Sequence, residues 1–435
     1  MNKSIWQDNI KMPEFKERDV KNSTDVLIIG GGIFGILCAF FLKEKGIDYM
    51  LLEKDEIASK TTKGTTGKIT LQHGLIYADL IKTKGIEYAK KYFSIYDIAV
   101  KKFEELSHLY SFDYENKKAY TYTLSNLKKI EEELKAYEKL GIDGKFEKET
   151  ELPFMIKGAL SVNNQGQIHP LKFIKEIAKD LNIFENVWVK RIEKGYVETS
   201  DKKIIRAIKI IVATHFPIIN KEGFYFVKLY QNRSSFVAVK NAQKLDNMYI
   251  DEKDTGLSLR SYNDYLIIGG DAHRTGTKSD NKNNAKSFAN QYYKNSPICF
   301  SWAAQDTMSL DKVPYIGKYS KANNFIFTAT GFIKWGLTGA MVAAMCLTDL
   351  ICDKQNDYLD IFSPQRSILK PQLFVNLFDT AVNYINPFPK RCPHLGCALK
   401  WNKYEHSWDC SCHGSRFDEN GNILDNPANN NLKKF

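Results

Sequence analysis

The chain has 435 residues, 43% of them hydrophobic and 26% charged, with a formal net charge of +11. That length gives room for two or three domains, and the composition is that of a globular protein, not of a disordered or fibrous one. Lys and Arg are spread over the whole sequence and form no recognisable nucleic-acid module, so the charge suits at most an acidic redox partner.

The first residues lack the apolar core of a signal peptide, and residues 1–22 read as a polar arm packed on the first domain. Asp25-Val-Leu-Ile-Ile is a short apolar strand, followed at once by Gly30-Gly-Gly-Ile-Phe-Gly35. Ile36 to Lys45 has helical apolar periodicity, and Asp48-Tyr-Met-Leu-Leu is a second strand ending in Glu53. This βαβ unit carries G-x-G-x-x-G in its first turn. Glycines there let backbone approach a pyrophosphate at a helix N-terminus, and Glu53 can accept from ribose hydroxyls. The Thr- and Gly-rich run Ser59–His73 can place hydroxyls and amides around phosphates or a flavin ring. Residues 76–108 and 125–140 read as amphipathic helices. Gly166-Gln-Ile-His169-Pro170 opens another, with Pro in its first turn.

Strands follow around Val187–Ile192, Gly195–Thr199 and Ile208–Thr214. The stretch 216–300 is strand-rich, clearest at Tyr225–Val239 and Tyr265–Asp271. Then come Asp311-Lys-Val-Pro-Tyr-Ile-Gly317, the strand Phe325–Thr330, Gly331-Phe-Ile-Lys-Trp-Gly336, and an apolar helix to about Cys352. With Thr338, Thr348 and Asp349 in it, that helix is too short and polar to span a membrane. Its N-terminus would point at something electron-rich.

The tail holds Cys392-Pro-His394 and Cys410-Ser-Cys-His413. Two thiolates and two imidazoles on paired loops suit a [2Fe–2S] centre in which two His replace two Cys on one iron. The alternative is a zinc site, which a single residue between Cys392 and His394 fits poorly. Of the eight cysteines, Cys38, Cys299, Cys346 and Cys352 are scattered. Such usage suits an intracellular metalloprotein, and a cytoplasmic location is expected.

The tail closely resembles the Rieske iron–sulfur family: C-x-H, fifteen residues, C-x-x-H, with Gly414-Ser415 and then a G-S-x-F-D-type continuation to Pro427-Ala428. The resemblance implies that Cys392, His394, Cys410 and His413 ligate the metal. Cys397 and Cys412 fall at matching places in the two loops, where a disulfide could tie them together. Ser415 would tune the cluster by hydrogen bonding to sulfur, and Phe417 stands where a Tyr donor is common. The domain looks truncated, because residues 386–391 run straight into Cys392 where several strands usually come first.

The first 355 residues resemble the D-amino-acid oxidase-like (glycine oxidase) superfamily of FAD-dependent oxidoreductases. The resemblance rests on Gly30–Gly35, Glu53, Val189–Ile192, Val212-Ala213-Thr214, Asp311–Gly317, and Ala329–Gly331 with Gly336-Leu337-Thr338. It implies an α/β, glutathione-reductase-like Rossmann FAD domain (23–95, 160–215 and 300–355), an α+β substrate domain (96–159 and 216–299), a linker (356–385) and a small all-β Rieske domain (386–435). FAD contacts are expected from Gly30, Gly32, Gly35, Glu53, Gly67, Lys68, Thr70, Val189, Ala213, Gly331, Gly336, Leu337 and Thr338. Lys334 is a candidate for charge near the flavin, His73 for a base or attachment point, and Arg260 or Arg274 for a carboxylate clamp.

The expected activity is oxidation of a small amine, amino acid or hydroxy acid by hydride transfer to FAD. Single electrons would pass through the cluster to an electron-transfer protein. The alternative is a redox-sensing or electron-transfer flavo-iron–sulfur protein without small-molecule turnover. A pyridine-nucleotide reductase would need a second glycine fingerprint, which Gly269-Gly270 does not form.

Overall fold

A computed structural model of the chain describes residues 3–15, 20–277, 284–387 and 390–433. Its centre is the strand Ser23–Ile29, parallel to Tyr49–Leu52 on one side and to Ile204–Val212 on the other. Val26 to Ile29 are buried without alternation, as expected where helices cover both faces of a parallel sheet. Ile183–Phe184 and Asn323–Thr330 extend the sheet in parallel, and Tyr315–Ser320 closes one edge antiparallel. The helices Ile33–Glu44 and Gly336–Ile351 pack on each other over this sheet. Both are apolar nearly all round, which fits burial on every side.

A second, larger sheet runs from Ile298–Ser309 through Leu229–Lys240, Tyr265–Arg274, Ser258–Tyr262, Met248–Asp251, Glu115–Thr123 and Gly158–Gln167 to Lys68–Ile69. Its strands outrun the boundaries expected from sequence. Residues 160–167 and 300–309 belong here, because they continue ladders with Glu115–Thr123 and Leu229–Lys240. The amphipathic stretch 76–108 is two helices, Tyr77–Lys84 and Ile86–Ser107, broken at Gly85. Pro170 opens the helix Pro170–Ala178, with the His169 side chain capping it by accepting from the Lys172 amide.

The polar arm is anchored by Trp6, fully buried, whose indole donates to the Thr65 carbonyl at 2.6 Å. At the other end, the stretch expected as a linker contains two helices, Leu359–Phe362 and Pro371–Ile385. Among the described residues, the tail is a four-stranded antiparallel sheet: Leu399–Asn402, Ser407–Cys410, Arg416–Phe417 and Ile423–Asp425. Every strand follows Cys392, so the support that usually precedes the first loop must come from elsewhere in the chain.

Candidate functional site

A cavity of about 620 Å³ lies between the two large sheets. Gly30, Gly32, Glu53, Val189 and Ala213 line one end of it; Lys68, His73, Lys334, Trp335, Gly336 and Leu337 line another part. Glu53 accepts from the Gly31 amide at 2.5 Å and from the Asp55 amide at 2.9 Å. These bonds fix the carboxylate at the rim of the glycine turn, although burial pushes its pKa up. The volume suits a large cofactor with a small substrate beside it.

Five of the expected contacts do not line this cavity. Gly35 serves packing: a Cβ there would sit 2.0 Å from the Gly30 carbonyl oxygen, so only glycine lets helix and strand come this close. Gly67 turns away to accept from the Ile168 amide and the Arg260 guanidinium, both at 2.9 Å. Gly331 packs on Ser309 and Leu229. The Thr70 carbonyl and the Thr338 hydroxyl face His73 at 3.0 and 3.3 Å. Lys68 reaches the wall, but its ammonium is held by the Tyr249 carbonyl and the Ser258 hydroxyl at 2.8 and 2.6 Å.

The candidate catalytic groups sort themselves by partners. His73 stacks on Trp335 with ring centroids 4.8 Å apart, and its Nδ1 meets the Tyr92 hydroxyl at 2.8 Å. Burial lowers its pKa to about 3; with both nitrogens engaged it is a neutral wall residue, not a base. Arg260 is buried against backbone carbonyls, and Arg274 is bound to the tail, so neither faces the cavity. Lys334 has a positive φ of 70° and donates to the Asp254 carbonyl at 3.1 Å from the cavity rim. Asp306, which the sequence reading did not single out, also lines the cavity; burial raises its carboxyl to about 6, against the pull of Lys334.

In the tail, the two loops bring the Cys and His side chains together. The rings of His394 and His413 lie 4.8 Å apart, nearly perpendicular. Nδ1 of His394 and both ring nitrogens of His413 are buried without a hydrogen-bond partner. Cys392 and Cys410 are buried free thiols in contact with each other. The hydrogen bond to Cys410, then burial, pushes Cys392 up, and the same bond lowers Cys410. Two such sulfurs become thiolates together only around a cation. Cys397 and Cys412 pair across the loops with Cα atoms 6.7 Å apart. Their sulfurs lie within 4.8 Å of a His413 nitrogen, but paired sulfurs are not thiolate ligands. That leaves the two Cys–His pairs.

The tail is clamped to the body. Gln305 Nε2 donates to the Gly414 carbonyl and to Gln231 Oε1, each at 2.8 Å; Gln231 Nε2 donates to the carbonyls of Asn426 and His413 at 2.9 and 3.3 Å. Gly414 has φ +87°, and a Cβ there would meet the Gln231 side chain at 2.6 Å. Arg274 donates to the carbonyls of Ser411 and Cys412 at 3.0 and 3.1 Å. Phe216 packs edge-on against both imidazoles, with centroids 6.2 and 6.4 Å away, and Asn220 meets His394 Nε2 at 2.8 Å. The neighbour of Phe216, His215, lines the cavity, as do Ile423 to Asn426 and Asn429 from the tail itself. Apart from Arg274, expected as a carboxylate clamp and found holding the tail, sequence reasoning missed these groups; the one signal was a pair of glutamines in otherwise core-forming strands.

A family profile for FAD dependent oxidoreductases (DAO) matches residues 25–350, and one for the Rieske [2Fe-2S] domain matches residues 372–435. The chain belongs to the DAO family of FAD dependent oxidoreductases. It is 30% identical over 498 residues to a Rieske 2Fe-2S iron-sulfur protein, YhfW, of Bacillus subtilis, covering 99% of this chain and 97% of the relative. The tail alone is 48% identical over 42 residues to cytochrome b6-f complex iron-sulfur subunit 2 of Trichormus variabilis, covering 10% of this chain and 24% of that one. Among solved structures, L-proline dehydrogenase from P. horikoshii superposes with a TM-score of 0.68 at 19% identity, covering 80% of this chain and 98% of the other. Glycine oxidase from Bacillus cereus gives 0.64 at 20%, covering 80% and 100%. The fold is thus a DAO-like FAD fold with a small all-β Rieske domain, and its cofactors are FAD and a [2Fe–2S] cluster.

The residues present fit both groups. The glycine turn, Glu53 and the helix N-terminus at Gly336 form a cradle for a flavin dinucleotide. The orphaned imidazole nitrogens and touching thiols are a two-Cys, two-His donor set. Ser415 is fully buried, accepts from the Ala428 amide at 3.0 Å, and hydrogen-bonds the Cys392 sulfur. Removing that bond in Ser415→Ala is expected to lower the cluster potential by about 60 mV or more. A hydrogen bond to a charged acceptor is worth roughly 1.5 kcal/mol, and a tenfold change in a one-electron equilibrium is about 59 mV. Phe417→Tyr is expected to shift it the other way. Potentiometric titration followed by EPR checks both.

Proposed function

We propose that this protein oxidises a small amine or amino acid, and more broadly the amine and hydroxy-acid class, in the cytoplasm, and passes the electrons singly to an acceptor. FAD supplies a two-electron hydride acceptor, and the Rieske cluster a one-electron outlet. The observation that carries the reading is the shared wall. Residues 423–426 and 429 of the tail line the same cavity as the glycine turn, and Phe216 joins that wall to both cluster imidazoles.

The chain's own residues orient the reactants. Trp335 and His73 form a stacked apolar wall, and Lys334 brings a cation to the flavin end of the cavity. No arginine lines the cavity among the described residues, whereas Asp306, Asp251 and Asp254 do. This favours a substrate recognised through its ammonium over one clamped by a carboxylate. Asp306 holds the ammonium charge when ionised. Flavin bleaching by an amine is therefore expected to rise as pH passes about 6 and to lose that limb in Asp306→Asn.

Anaerobic mixing with a panel of amines, amino acids and hydroxy acids tests the reading. Bleaching of the flavin with growth of a reduced-cluster EPR signal is the expected result. A flavin that only dithionite bleaches would favour an electron-transfer or redox-sensing protein without substrate turnover.

A further inference from the structure

The helix Pro371–Ile385 is folded with its polarity reversed. A surface helix normally turns its apolar stripe to the core. Here the buried positions include Asn376 and Asn383, and the polar side chains are the anchors. Asn376 accepts from Arg274 at 3.0 Å and donates to the Val227 carbonyl at 3.3 Å. Asp379, the one charged residue of the helix, pairs inward with Arg274 at 2.9 Å. The outer face carries Phe374, Val375, Leu377, Phe378, Val382 and Ile385, which are 45–79% exposed. Contiguous exposed apolar surface of this size marks a contact site.

Two features say what covers it. The ends of the face are basic: Lys370 precedes the helix, and Arg391 folds back on its C-terminus, donating to the Tyr384 carbonyl at 3.0 Å. In a two-fold pairing of antiparallel helices, the basic end of one copy would meet the basic end of the other. A bilayer with anionic headgroups has the opposite need. It accepts an apolar stripe about 17 Å long, at 1.5 Å per residue, and attracts cations at the rim and the net charge of +11 behind them. The patch also runs on to the cluster loop, where Leu395 is exposed and Gly396 approaches the Tyr384 ring.

We propose that this face docks the protein on the surface of an anionic lipid bilayer, lying in the interface without crossing it. Among the described residues no helix is long and apolar enough to span. The proposal stands apart from the catalytic reading and survives its failure.

The test is co-sedimentation of the full-length holoprotein with phosphatidylcholine vesicles and with vesicles in which about a third of the lipid is phosphatidylglycerol. Sedimentation equilibrium is run on the same samples. Binding to the anionic vesicles, weakened at least tenfold in Phe374→Asp/Phe378→Asp and several-fold in Lys370→Glu, is the expected result. Both phenylalanines are exposed, and unchanged flavin and cluster spectra show that the variants fold. Absence of vesicle binding by the wild-type protein would overturn the proposal. So would binding that survives the double substitution, or a stable dimer that the double substitution dissociates.

Discussion

Cys410→Ser is expected to abolish the Rieske EPR signal while leaving close to one FAD per chain. A serine hydroxyl is a poor exchange for a thiolate at a cluster iron, and Cys410 is fully buried opposite Cys392, while the neighbouring sulfurs of Cys397 and Cys412 are tied up in their own disulfide. The flavin cavity, by contrast, keeps its tail-derived wall. That wall is fastened by Gln231 to the Asn426 carbonyl and by Trp188, whose indole donates to Asn429 at 2.7 Å. Iron, sulfide and flavin analysis of one preparation checks this. In the same variant, substrate should still bleach the flavin, but electrons should no longer reach a one-electron acceptor. Loss of flavin together with iron would mean that the cluster itself holds the tail in place.

Arg416→Met is expected to cost about 3–5 kcal/mol of the stability of the tail, the usual penalty for breaking a buried ion pair from one side. The guanidinium is fully buried and pairs with Glu405 at 2.7 Å, Asp409 at 2.9 Å and Asp425 at 3.0 Å. Arg233, from the body, shares Glu405, so the network also fastens the two parts together. Burial alone would push Asp425 and Glu405 up. Arg416 and Arg233 outweigh it and hold both below the usual carboxylate range.

Groups lowered in this way stabilise the folded state fully above their unfolded pKa of about 4, and the contribution is lost as pH falls through the depressed folded values. The wild-type tail should therefore weaken in acid. The variant should lose most of that dependence, because Asp425, left buried with only Arg233 at 3.9 Å, gains from protonation. Urea unfolding followed through cluster absorbance at two pH values measures both effects.

Much of this was legible in the residues. The βαβ unit announced itself because a parallel strand buried on both faces must be an unbroken apolar run, and because the turn after it must be glycine. The paired Cys–His pattern of the tail was legible because such chemistry demands fixed residue types at short spacing, and the structure brings those four side chains together. The strand register of the second sheet was not. Whether residues 160–167 and 300–309 belong to one sheet or the other depends on partners about 40 to 80 residues away. Of the expected cofactor contacts, Gly35, Gly67, Gly331 and Thr338 stand next to residues that line the cavity and Thr70 two residues from one, and proximity in sequence does not say which way a carbonyl points. The helix Pro371–Ile385 stands in the stretch expected as a linker; its periodicity is in the residues, but which face turns inward is set by Arg274 and the Val227 carbonyl, and that could be read only from the fold. The clamp of Gln231 and Gln305 is a property of two surfaces meeting, and neither surface is visible in the sequence alone.

The central claim is that electrons placed on the flavin leave through the cluster of the same chain. Laser-flash photoreduction of the flavin in the oxidised holoprotein, followed at the flavin and cluster absorption bands, tests it directly. The expected result is reduction of the cluster in a first-order phase whose rate does not change with protein concentration. A rate proportional to protein concentration, or a reduced flavin that persists beside an oxidised cluster, would contradict the account.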